Sequence, residues 1–115
     1  MSLLSWLLAF GLTQAVELPI HARALRRANA QRASWFVWAA AFMASALTHP
    51  FVYLSYPSLA GQLGWAPALA LVEGFAVLVE AAWLRRLGVR DALLWSLVAN
   101  ASSVAVAAWL RALVF

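Results

Sequence analysis

Three of the four acidic residues, Glu17, Glu73 and Glu80, lie inside stretches that otherwise read as membrane-spanning helices. An ionised residue at the centre of a span costs roughly 2.5–3.5 kcal/mol, so three left unpaired would cost on the order of 8–10 kcal/mol. A chain that keeps them must turn them toward one another inside a bundle. That requirement constrains the fold more than any other feature.

The surrounding composition leaves few alternatives. With 66% hydrophobic and 10% charged residues, the chain departs from the soluble globular pattern. Its 115 residues hold four spans of about 20 residues each, with little left for an extramembrane domain. There is no cysteine, which excludes disulfides, a thiolate metal site and a cysteine nucleophile. No basic segment precedes the first apolar run, so that run reads as a retained span rather than a cleaved signal.

The expected fold is all-α: four transmembrane helices joined by short loops in a single domain over residues 1–115. The spans are placed at about 2–20, 33–54, 66–84 and 92–114. A basic stretch from His21 to Arg32 separates the first two, and a turn with Arg85, Arg86 and Arg90 separates the last two. Between them, 55–65 reads as an uncharged connection broken by Pro57, Gly61 and Gly64. Seven of the eight arginines fall in the first and third loops, and only Arg111 lies elsewhere. The positive-inside rule therefore predicts a multi-pass protein of a bacterial inner membrane with both termini outside. The same rule accounts for the net charge of +4 through the bilayer, so no nucleic-acid partner is expected. Tryptophans agree: Trp35, Trp38, Trp83 and Trp95 mark the cytoplasmic ends, and Trp6, Trp65 and Trp109 the outer ends.

Each span carries its polar residues at helical spacing. Thr13, Glu17 and His21 follow one another at i, i+4 in the first, with Gln14 beside them. Ser45 shares a face with Thr48 or His49 in the second. Glu73 and Glu80 in the third are seven residues apart, about 10.5 Å along the axis. Ser96, Asn100 and Ser103 form an i, i+4, i+7 stripe in the fourth. Lipid satisfies none of these groups, so the stripes are expected to converge. Pro50 should loosen the helix at His49 and free a carbonyl one turn earlier, with Pro19 acting likewise near Glu17.

The candidate ion or proton site is thus Glu73, Glu80, Glu17, His49 and Asn100, supported by Thr13, Thr48, Ser96 and Ser103. Glu17 lies near enough to the inner arginines to pair with one, and His21 is expected at the cytoplasmic interface without a special role. Glu73 has no arginine within reach on its own helix and must be protonated, paired with His49 or coordinated. Oxygen ligands suit Mg²⁺, Ca²⁺ or Mn²⁺, and an added imidazole allows Zn²⁺. A cation is the one cofactor these residues suggest. No H-E-x-x-H, G-x-S-x-G or histidine pair at i, i+4 is present, so no enzyme is expected. The alternative is an accessory subunit of a larger membrane complex, because Ala40 and Ala44, and Ala99, Ser103 and Ala107, repeat every four residues as helix-contact faces do. Those faces equally suit a homo-oligomer.

The order Glu17-Leu18-Pro19, Thr48-His49-Pro50, Glu73 with Glu80, and Asn100 with Ser103 resembles a group of small, four-span bacterial membrane proteins. These carry E-L-P, T-N-P, a paired-glutamate helix and an N-x-x-S helix. The resemblance implies a common intramembrane polar site. It departs at His49, which stands where the pattern has asparagine.

Overall fold

The computed structural model describes residues 3–114 and is helical throughout apart from its connections. Five helices make four passes: α1 (Leu3–Ala28), α2 (Ser34–Ala46), α3 (His49–Leu63), α4 (Trp65–Arg86) and α5 (Ala92–Val114). Helices α2 and α3 form one broken pass, and all four passes are long and apolar enough to cross a membrane. The passes close into a four-helix bundle. Helix α1 packs against α2 and α5, and α4 packs against α3 and α5.

The helices run past several expected span limits. Helix α1 continues through Arg23, Arg26 and Arg27 to Ala28, so the first basic loop shortens to residues 29–33. Ser2, the expected start of that span, lies outside the described residues. Pro19 sits within α1 without interrupting it. The 55–65 segment is not a loop: residues 55–63 are the rest of α3, with Pro57 inside the helix, and Trp65 opens α4. In apolar surroundings a helix missing one amide leaves fewer polar groups unpaired than an open chain would. Only Gly64 breaks the path. Its φ of +89° is a conformation that glycine adopts without a Cβ penalty, and it reverses the chain in a single residue.

Pro50 acts as its chemistry predicts. Helix α2 stops at Ala46, α3 starts at His49, and Pro50 occupies the first turn of the new helix, where no amide is needed. The Leu47 amide still bonds Met43, but the Thr48 amide tightens onto Ser45 at 3.2 Å. The break therefore turns Thr48 inward.

Asn29 ties the two arginine-bearing turns together by donating to the Leu87 carbonyl at 2.9 Å. Beneath them lies the apolar core, centred on Leu25, Val37, Ala41 and Leu84, with Phe36, Trp83 and Trp95 packed against it. Trp83 is more than an interfacial belt residue, since its indole donates to the Ala40 carbonyl at 2.9 Å. By contrast, no residue of α3 is buried. The bundle is tight at the arginine end and looser at the other. Its polar site sits between the two regions.

Candidate functional site

Glu17, buried at 2% exposure, leans from α1 toward α2, where the Ser45 hydroxyl donates to its Oε1 at 2.7 Å. Ser45 faces inward because it shares a stripe with Ala41 and Ala44, both fully buried. Glu80, at 1% exposure, reaches from α4 into the same space. Its Oε1 accepts from Asn100 Nδ2 at 3.1 Å and its Oε2 lies 3.0 Å from Thr48 Oγ1. The same Thr48 oxygen lies 3.2 Å from the Ser45 carbonyl. A hydroxyl has one proton and serves one acceptor fully. Both Thr48 contacts are complete when Glu80 carries a proton and donates it to Thr48, which then donates to Ser45.

His21 completes the group. One turn after Glu17 on α1, it has 0% exposure, and its Nε2 lies 3.2 Å from Glu80 Oε1. The approach is close but poorly aligned, so neither ring nitrogen has a directed hydrogen bond. Glu17, His21 and Glu80 each offer one ligand atom, and the three atoms lie within 4.8 Å of one another. This group is able to bind a cation. His21 is not an interfacial bystander as its place among the arginines suggested, because α1 continues as a helix and carries it onto the Glu17 face. The i, i+4 spacing from Glu17 was the available signal, and the neighbouring arginines masked it.

The other sequence candidates lie around this centre. Thr13, Ser103, His49 and Glu73 line a small cavity of about 90 Å³ that also borders Glu17 and Glu80. That volume holds a few waters. Glu17 makes no ion pair with an arginine; among the described residues the only close approach of a basic to an acidic side chain is that of His21 to Glu80, an ion pair only when His21 is protonated and Glu80 is not. Glu73 is not the most enclosed carboxylate but half-buried. It makes no ion pair with His49 and no hydrogen bond among the described residues.

His49 packs instead into an aromatic nest. Its ring centroid is 5.0 Å from Phe10 and 6.0 Å from both Trp6 and Tyr53, and its Nδ1 has no hydrogen-bond partner. Ser96 belongs to the scaffold, since its hydroxyl donates to the Val77 carbonyl at 2.7 Å and sets the register of α4 against α5. Asn100 divides its amide nitrogen between Glu80 and the Ser96 carbonyl. Gln14 lies outside the set of sequence candidates, and its Nε2 bonds the Phe42 carbonyl at 3.1 Å, while its Oε1 lacks a partner.

No protein-family model matches this chain, and no curated protein or solved structure matches it. The chemistry of the site therefore rests on its geometry alone.

Proposed function

We propose that this chain is a small, non-catalytic protein of a bacterial inner membrane that binds or conducts a cation or proton at Glu17, His21 and Glu80. The observation that carries the reading is the buried His21 imidazole, without a directed hydrogen bond, beside two carboxylates. An orphaned buried imidazole is costly unless something else satisfies it. Two carboxylates neutralise a divalent cation, and one imidazole with two oxygens suits Mn²⁺, Fe²⁺ or Zn²⁺ better than Mg²⁺ or Ca²⁺. When no metal is bound, a proton on Glu80 removes its charge and completes the hydrogen bonds through Thr48 to the Ser45 carbonyl.

The test is titration of the purified chain with Mn²⁺ in lipid nanodiscs, read by electron paramagnetic resonance. One equivalent should bind, with affinity falling at least tenfold in His21→Ala and in Glu80→Gln. Binding unchanged in both variants would sink the reading. Native mass spectrometry of the chain extracted from its own membrane adds the stoichiometry. A homo-oligomer retaining the ion supports a self-sufficient protein, whereas a stoichiometric foreign subunit would move the function to a complex.

A further inference from the structure

A groove of about 580 Å³ runs between α4 and α5 on the outside of the bundle, apart from the three-residue centre. Small residues on both walls make room for it. Ala66, Ala70 and Gly74 follow one another at i, i+4 along α4, and Ala101 and Ala105 do so along α5. Trp65 closes one end. A Cβ added at Gly74 would meet nothing within 4 Å, so packing inside the chain does not demand the glycine.

The lining holds only two polar side chains, Glu73 and Asn100. The Asn100 amide nitrogen is committed to Glu80 and Ser96, whereas the Glu73 carboxyl, the one group here able to carry a charge, has no hydrogen bond among the described residues. Size and composition match a small-molecule site: several hundred cubic ångströms, apolar walls and one well-placed polar anchor.

Charge decides the occupant. A lipid acyl chain would fill the walls but offer the Glu73 carboxyl no partner, so that occupant requires Glu73 to be protonated, whereas a cation pairs with its charged form. A second copy of the chain brings no cation to this depth. The Ser96–Val77 bond fixes the register, placing Glu73 one turn from Val77, about 6 Å, and Arg111 fifteen residues from Ser96, about 22 Å. The remaining difference exceeds the reach of an arginine. All other arginines lie in the last two turns of α1 and α4 or in the connections at the opposite end. The geometry points to an amphiphilic organic monocation, such as an alkylammonium, with its apolar body along the alanine walls and its charged head on Glu73. Glu73 and Asn100 also border the interior cavity, so the head would sit at the wall between groove and site. This binding does not depend on metal occupancy of the His21 centre.

The absence of native cysteine makes the test direct. Ala70→Cys places one thiol on the groove wall, and its alkylation by a membrane-soluble maleimide is followed in phosphatidylcholine vesicles. Dodecyltrimethylammonium should slow alkylation, with dodecanol at least tenfold less effective. Adding Glu73→Gln should abolish that difference, while Glu73→Asp, which keeps the charge, should retain most of it. Equal protection by the two amphiphiles would mean an acyl-chain groove and overturn the proposal. So would preservation of the ammonium preference in Glu73→Gln. A spontaneous disulfide between two copies of the Ala70→Cys variant, blocking alkylation before any ligand is added, would assign the groove to a second copy instead.

Discussion

At the residue scale, the site shows how a membrane bundle handles charge. Glu17 and Glu80 reach no arginine; each is held by neutral groups from neighbouring passes, Ser45 for Glu17, and Asn100 and Thr48 for Glu80. Interhelical hydrogen bonds of this kind are modest in lipid, because the unfolded chain also finds partners there. A double-mutant cycle of Ser45→Ala with Glu17→Ala should therefore give a coupling of about 1 kcal/mol, measured by unfolding in mixed micelles. A coupling near zero would mean that Ser45 and Glu17 do not meet in the folded protein. The same scale explains why His21 escaped the sequence reading. Its i, i+4 relation to Glu17 is visible, but four arginines follow within eleven residues and mark the segment as interfacial. Its burial is a property of packing. Composition does not record it.

At the scale of elements, the break between α2 and α3 matters most. Pro50 denies the Ala46 carbonyl its usual partner, the helix restarts, and Thr48 reaches Glu80. Replacing Pro50 with Ala should let the two helices fuse and stabilise the fold by no more than about 3 kcal/mol. Fusion would also turn Thr48 away, so Mn²⁺ affinity should fall severalfold while resistance to unfolding rises. Parallel measurements of nanodisc binding and micellar unfolding would check both effects. If affinity and stability rose together, the break would have no part in the site. Pro19 and Pro57, by contrast, sit inside continuous helices. The three prolines look alike in sequence. They differ in place: Pro50 opens a helix, whereas Pro19 and Pro57 lie well inside one.

At the scale of the whole molecule, the bundle has two unlike ends. The arginine-bearing turns meet through Asn29 and Leu87 above an apolar core. The opposite end carries Gly64, Trp65 and Trp109, the two tryptophans largely exposed. The positive-inside rule predicts that a cysteine replacing Ser34 is shielded from an impermeant maleimide in intact cells, while one replacing Gln62 is labelled. Labelling of the Ser34 site from outside would reverse the orientation. The cysteine-free background makes either result unambiguous.

The sequence by itself determined the number of passes, the clustering of arginines and the stripes that carry Glu17, Glu80, Thr48 and Asn100. It did so because hydropathy and helical period are local properties, and a bilayer enforces both. Only the tertiary structure decided which stripes meet. It brought His21 to Glu17 and Glu80, set His49 among aromatic rings, and left Glu73 at the wall between cavity and groove. Those outcomes depend on the rotation and register of each helix against its neighbours. Close packing between side chains distant in sequence fixes both, and no single helix encodes them.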